Sequence, residues 1–407
     1  MTNKRYFLMA IFFTLFSTAL AGGAGTSPRL GAWITVFTPE NVFYSRENAD
    51  KLVRTCKEAG IDHIYLQLYR AGEAFYDSAI TVASPFEKIK KSFGGDPVKY
   101  IIDAAKKNGI EVHAWLNLLS VAQNDKADVL LKIGPAALTL DQNEKKSWSK
   151  EKEAVDKRFV REDQLFLEPG NPQVRTYLTS IVGEILDKYP SIAGVHLDYI
   201  RYPKAVPFSP GSRFDAYSLS YGYTFQNMLN FKKDNGATPK EMEKTRDNFQ
   251  KWDDWRRRQV TELARMISGN VRAREGKYRI SAAVMPSAEL AYSVNFQDWP
   301  DWLRKGYIDH VVTMNYTENP ELAGINARSS LSQSSREKVY IGLGAYLLKS
   351  LPGVLKEEIE TVKKASPGGI VIFSYDEVAK DAELRQTLRA LSNGPKMENR
   401  NDHSRGT

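Results

Sequence analysis

The residues with most scope for chemistry lie in one short segment, Gly-Val-His-Leu-Asp-Tyr-Ile-Arg-Tyr-Pro at 194–203, where Asp198 ends an apolar β-type run. A carboxylate in that position costs free energy unless it is hydrogen-bonded or used, so Asp198 reads as functional rather than structural. Two more carboxylates follow other apolar runs: Glu73, in Arg-Ala-Gly-Glu-Ala, and Asp376, in Phe-Ser-Tyr-Asp-Glu. Breaking a glycosidic bond normally takes one carboxylic acid to protonate the leaving oxygen and a second carboxylate as nucleophile or base. Asp198 is assigned the first role and Glu73 the second, with Asp376 as the substitute for Glu73.

Such groups need rigid elements beneath them. Eight β-type runs, at 30–37, 63–69, 110–116, 194–199, 278–285, 308–316, 339–346 and 369–375, alternate with helical patterns at 48–59, 97–108, 172–188, 248–274, 299–305, 322–334 and 354–364. Repeated strand–helix alternation predicts a parallel sheet with helical crossovers, and eight strands close as a barrel. The expected fold is an α/β (β/α)8 TIM barrel over 29–391, with long loops after strands three (118–169) and four (204–247). Gly60 and Gly109 fit helix C-termini, and Pro97 and Pro172 fit first turns behind Asp96 and Asn171.

Successive strand residues face opposite sides, so each strand divides into a helix-facing and an axis-facing set. His196 and Asp198 oppose Val195, Leu197 and Tyr199. His113, Trp115 and Asn117 oppose Val112, Ala114 and Leu116, and Tyr65, Gln67 and Tyr69 oppose Ile64, Leu66 and Leu68. In strand six the axis set is Thr313 and Asn315; in strand eight it is Ser374 and Asp376. Catalytic groups in barrels sit at the C-terminal strand ends, so Tyr69, Trp115, Asn117, Asp198, Met285, Asn315, Tyr346 and Asp376 should line one cup. Rings with a few carboxylates and amides suit a sugar, which offers C–H faces and hydroxyls. Arg70 and Tyr316 join the sugar-holding set, and Arg201 should tune or anchor Asp198.

Blander readings stand beside these. His113 and His196, read as the only strand histidines facing the axis, suit sugar contact or a hydrogen-bonded core equally. No His, Cys or carboxylate spacing points to a metal, and no cofactor is implied. Trp252 and Trp255 share a helical stripe with Phe249 and Val260, which favours helix packing. Glu73 also fits an exposed loop charge.

Met-Thr-Asn-Lys-Arg, a short apolar run and Ala19-Leu20-Ala21-Gly22 have the order of a secretory signal, expected over 1–21. The run is too short to favour a permanent span, which implies a secreted or periplasmic, cell-envelope protein with no stable membrane span after cleavage. The single cysteine, Cys56, rules out an intramolecular disulfide and falls on an apolar helical face. The formal charge of +8 is spread along helices rather than gathered in a stripe, which argues against nucleic acid as a partner and suits an anionic glycan. Residues 392–407 are polar and aperiodic and read as a disordered tail.

The strand-four motif resembles that of the glycosyl-hydrolase-like family 10. Further segments match in order: Tyr-Leu-Gln-Leu-Tyr-Arg-Ala-Gly-Glu-Ala-Phe-Tyr-Asp-Ser at 65–78, Glu-Val-His-Ala-Trp-Leu-Asn at 111–117, Leu-Glu-Pro-Gly-Asn-Pro-Gln-Val-Arg at 167–175 and Gln-Asp-Trp-Pro-Asp-Trp-Leu-Arg-Lys-Gly-Tyr-Ile-Asp at 297–309. The resemblance spans about 29–388 and implies a bacterial envelope glycosidase, some members acting on peptidoglycan glycan strands. Two departures stand out: Glu73 is the acidic residue where the family's usual segment reads Gly-Asp-Ala, a conservative change, and Leu118-Leu119-Ser120 replaces the Pro-Tyr-Arg that usually follows strand three. Strand four, Val-Val-Thr-Met-Asn-Tyr at 311–316, Tyr-Ile-Gly-Leu-Gly-Ala-Tyr at 340–346 and Gly-Gly-Ile-Val-Ile-Phe-Ser at 368–374 are also similar in plan to family 18 chitinases. Ile200 occupies the position of their acid glutamate, which counts against chitinase chemistry.

The expected activity is hydrolysis of O-glycosyl bonds in an amino-sugar-containing envelope glycan, with a polysaccharide or oligosaccharide as substrate. One alternative is a barrel cutting a partly de-N-acetylated exopolysaccharide. Another is a non-catalytic glycan-binding barrel that keeps the aromatics but uses only one carboxylate, since fold alone does not fix function.

Overall fold

The computed structural model describes residues 27–150, 159–207 and 220–393; the signal-type segment 1–21 and the tail beyond 393 lie outside them. Eight parallel strands follow in order: β1 (Arg29–Ile34), β2 (His63–Arg70), β3 (Glu111–Asn117), β4 (Gly194–Asp198), β5 (Arg279–Val284), β6 (His310–Asn315), β7 (Val339–Leu343) and β8 (Gly369–Ile372). Each pairs with its sequence neighbour, and β1 pairs with both β2 and β8, so the sheet closes on itself. This is the expected TIM barrel.

Local signals set the helices that wrap it. α1 (Arg46–Ala59) starts where Ser45 accepts from the Asn48 amide and ends at Gly60, whose φ of +72° is a left-handed conformation open to glycine. The next two are α2 (Ser84–Phe93) and α3 (Pro97–Lys107), the latter beginning behind Asp96, which accepts from the Lys99 amide. Next come α4 (Asp128–Ile133) and α5 (Pro172–Lys188), which is capped by the Asn171 side chain. α6 (Phe225–Asn235) and α7 (Arg246–Arg272) hold a small separate core in which Trp252 and Trp255 stack at 5.2 Å beside Phe231, the helix packing expected of them. α8 (Ala288–Val294), α9 (Trp299–Arg304), α10 (Pro320–Leu331), α11 (Pro352–Lys364), α12 (Tyr375–Lys380) and α13 (Ala382–Ser392) complete the ring. α13 runs to Ser392, the residue where the tail was expected to begin. Among the described residues no helix is long and apolar enough to cross a membrane.

Two packed zones result. The larger lies between strands and helices and includes Cys56, Leu66, Leu116, Val195, Leu197, Ile341 and Ile372. The smaller fills the barrel itself with Trp33, Tyr65, Trp115, Val312, Tyr340 and Val371. Small residues make room for these large ones. A Cβ on Gly31 would lie 2.3 Å from His63 Nε2, and one on Gly342 would lie 2.6 Å from the Trp33 ring.

Two strands run out of the phase expected of them. Val312 of β6 and Val371 of β8 face the axis, so Thr313 and Asn315 face the helices. β8 ends at Ile372, and the alternation does not carry on to Ser374 and Asp376, which open α12.

Candidate active site

The long loops after β3 and β4 rise from the C-terminal face and are joined by an antiparallel pair of short strands, Phe159–Arg161 against Ala205–Pro207. Beneath them Asp198, the last residue of β4, is 7% exposed. Its Oδ2 accepts from Trp115 Nε1 at 3.0 Å, and its Oδ1 accepts from the Tyr199 amide at 2.7 Å. That second bond requires the chain to turn sharply after the strand, and Tyr199 does so at φ +52°, a left-handed conformation that costs a non-glycine residue free energy. Burial pushes the Asp198 carboxyl up to about 6, against opposing pulls from the Tyr199 amide, the Arg201 charge and Trp115. A carboxyl that keeps its proton close to neutral pH is equipped to donate it.

Aromatic rings form one wall above Asp198. Tyr316, just past β6, stacks on Phe373 at 5.6 Å, and Tyr346, 40% exposed, meets both edge-on. Burial, then the nearby Asp198 charge, holds the Tyr316 phenol well above its ordinary range. Phe373 also closes on Trp33 and Trp115, so the wall continues into the barrel interior. The polar floor comes from β2 and β3: Gln67 Nε2 donates to Asn117 Oδ1 at 3.3 Å, and Gln67 Oε1 accepts from the Val36 amide at 3.2 Å. Asn117 stands level with Asp198 in the strand register.

The charged residues around this cup behave unequally. Arg201, almost wholly buried, is held by Glu162 in a two-pronged pair of 2.9 and 3.0 Å, with its guanidinium 4.9 Å above the Tyr199 ring. Its anchor is therefore Glu162, not Asp198. Arg70 lies over the exposed Phe37 ring at 4.6 Å. Glu73 occupies the two-residue strand that folds back on β2, opposite Arg70, and its half-exposed carboxylate has no hydrogen-bond partner among the described residues. Asp376 differs: it accepts from Thr38 Oγ1 and, at 2.9 Å, from Ser374 Oγ, stapling the ends of β1 and β8 together.

Two expected cup residues, Tyr69 and Asn315, and two further candidate sugar contacts, His113 and His196, lie elsewhere. Tyr69 is fully buried among the helices, because the β2–β3 register jumps from Gln67 opposite Trp115 to Tyr69 opposite Leu116. This bulge reverses the facing of every residue beyond it. Asn315 is also fully buried toward the helices; its Nδ2 donates to the Ala323 carbonyl and its Oδ1 accepts from Asn326 on α10. His196 faces the axis one layer below Asp198 and is sealed: Nε2 accepts from Trp33 Nε1 at 3.0 Å, leaving Nδ1 to donate to Ser281 Oγ at 2.8 Å. His113 lies lower still, 3.5 Å from Glu111 near the N-terminal strand ends. These two are not the only axis-facing histidines, since His63 packs on Tyr65 and His310 bonds to its hydroxyl at 3.0 Å. Among the described residues no group of three or more His, Cys, Asp or Glu side chains is arranged to hold a metal ion.

Trp33, Phe373, Gln67 and Glu162 belong to the site but were not assigned to it from sequence. Strand alternation locates Trp33 and Gln67. Glu162 stands in a loop whose sequence carries no period.

A closed parallel barrel bearing a protonatable buried acid, an aromatic wall and an amide floor at its C-terminal mouth defines a glycoside hydrolase of the TIM-barrel type. The chain belongs to the glycosyl hydrolase-like 10 family, whose model matches residues 29–356. It is 25% identical over 356 residues to glycosyl hydrolase DigH of Escherichia coli K12, covering 82% of this chain and 71% of that protein. It is 23% identical over 326 residues to glycosyl hydrolase YngK of Bacillus subtilis, covering 74% of this chain and 56% of that protein. In fold it is similar to the catalytic domain of the β-amylase of Paenibacillus polymyxa, with a TM-score of 0.57 and 11% identity over 92% of this chain and 100% of the other. The α-L-fucosidase isoenzyme 2 of Paenibacillus thiaminolyticus gives a TM-score of 0.57 and 12% identity over 90% of this chain and 49% of the other.

Proposed function

We propose that this glycoside hydrolase is exported and cleaves an amino-sugar-containing glycan of the cell envelope, with the glycan strands of peptidoglycan as its substrate. The observation that carries the reading is the buried Asp198 carboxyl, pushed up to about 6 at the floor of an aromatic cup. It acts as the general acid, protonating the leaving oxygen of a sugar stacked on Tyr316, Phe373 and Tyr346, with Trp115 and Asn117 beneath. Glu73 is the second carboxylate. Among the described residues it has no hydrogen-bond partner, whereas both Asp376 oxygens already accept hydrogen bonds. The signal-type start and the basic charge support the envelope setting.

The test incubates the mature protein with peptidoglycan stripped of peptides, with intact peptidoglycan and with a partly de-N-acetylated exopolysaccharide, and analyses the products. Soluble sugar fragments from the first substrate are expected. Release from the exopolysaccharide alone would move the substrate to that polymer. Binding without cleavage of any of the three would leave a glycan-binding barrel in place of the enzyme reading.

A further inference from the structure

Arg201 follows Asp198 by three residues and its positive charge acts on that carboxyl, yet the Arg201 guanidinium pairs with Glu162 instead. The reason is geometric. Both terminal nitrogens of Arg201 are directed to Glu162, one of them also donating to the Tyr202 carbonyl at 3.2 Å, and the guanidinium plane is held against the Tyr199 and Phe166 rings. A guanidinium left free beside a carboxylate would pair with it through two parallel hydrogen bonds, and a carboxylate so paired stays ionised. Among the described residues Asp198 also meets the Trp115 indole and the Tyr199 amide, with the neutral phenols of Tyr199 and Tyr316 close by.

We propose that Glu162 is a positioning residue of the active site: by clamping Arg201 it withholds the guanidinium from Asp198 and leaves that carboxyl able to carry the proton the reaction needs. The inference rests on the reading of Asp198 as general acid. The charge balance agrees, since Arg201 favours the ionised form of Asp198 and Glu162 opposes it. Glu162 needs no contact with the sugar to act in this way.

The experiment is the pH profile of kcat/KM on peptide-stripped glycan strands for wild type, Glu162→Gln, Arg201→Gln and the double variant. In wild type the activity falls as pH rises through the Asp198 titration. With Glu162→Gln the unpaired Arg201 charge favours ionised Asp198, so this alkaline limb should move down by about one pH unit, and the rate at pH 7 should fall roughly tenfold. Arg201→Gln should move the limb upward, and the double variant should bring it back toward wild type. A purely structural role would lower the rate at every pH and leave the limb where it was. A Glu162→Gln limb coinciding with wild type would overturn the proposal. Should Glu162→Gln fail to fold, Glu162→Ala takes its place, since it removes the same charge; its limb should also move down, and an Ala limb coinciding with wild type would overturn the proposal equally. If wild type shows an alkaline limb that Asp198→Asn does not abolish, the fault lies with the general-acid reading and not with Glu162.

Discussion

His196 and Asp198 stand two residues apart on the same face of β4, and both are buried ionisable groups, yet the barrel treats them in opposite ways. His196 has both nitrogens satisfied, by Trp33 and Ser281, and burial drives its basicity far down, so it stays neutral and packs as a core residue. Asp198 is buried almost as deeply, but its bonds come from a strained turn and an indole at the mouth, and it titrates close to neutral pH. The lower layer spends its polar groups on one another. The upper layer leaves a proton available. Depth along the axis, and not residue type, separates structure from chemistry here.

The sharpest way to break this comparison is Asp198→Asn. It removes the proton donor while keeping size and much of the hydrogen bonding, so kcat should fall by about three orders of magnitude or more. The fold should not suffer. Because the folded-state pKa of Asp198 is raised, its ionised form costs stability at pH 7, and that cost vanishes as pH falls below the folded value of about 6 toward the unfolded one. The Asn variant should therefore unfold at the same or a higher temperature than wild type near neutral pH, a gain that fades below about pH 6. A loss of stability matching the loss of rate would place Asp198 with the structural layer.

Glu73→Gln should come next, lowering kcat about a hundredfold or more, with Asp376→Asn costing less in rate and more in stability because it frees Thr38 and Ser374. The reverse order would transfer the second carboxylate role to Asp376. If both keep full rate while Asp198→Asn is inactive, the substrate's acetamido group takes that role.

The lower layer can be tested by pH alone. His63, His113, His196 and His310 are all held below their ordinary value, first by burial, with His113 at about 4. The unfolded chain therefore takes up protons first. Their contribution to stability is whole above about pH 6.5 and is lost as pH falls toward 4. His113→Gln should flatten this acid slope by up to about 3 kcal/mol and leave kcat/KM at pH 7 within a few-fold, measured by thermal unfolding across pH beside kinetics. The smallest effect belongs to Tyr69→Phe. Facing α5 rather than the cup, it should change kcat/KM by less than about twofold; a tenfold loss would return Tyr69 to the sugar.

These residues also mark what was legible in the sequence. β3 and β4 are unbroken strands with apolar residues on one side, so Trp115, Asn117, His196 and Asp198 fall on the expected face. Helix starts were equally readable at Asp96–Pro97 and Asn171–Pro172, because a capping side chain acts within three residues of itself. Tyr69 was misplaced by one extra residue in β2, and a bulge leaves no mark in an apolar run. Asn315 was misplaced for another reason: a polar side chain near a strand end was taken to face the mouth, while its partners, Ala323 and Asn326, stand on the following helix. Asp376 was counted as strand although β8 stops at Ile372. Glu162 acts through a partner 39 residues away, a distance no local pattern records.

The antiparallel clasp between Phe159–Arg161 and Ala205–Pro207 has an evolutionary and engineering consequence. Glu162 leaves one side of that clasp and Arg201 precedes the other, so the two loops are joined by both a backbone pairing and a buried ion pair. A chimaera carrying one foreign loop would strand a buried charge against a mismatched partner, while a matched pair of loops could be transplanted together. Thermal unfolding of single-loop and paired-loop chimaeras would measure that interdependence directly. New glycan preferences on this barrel should then be acquired two loops at a time.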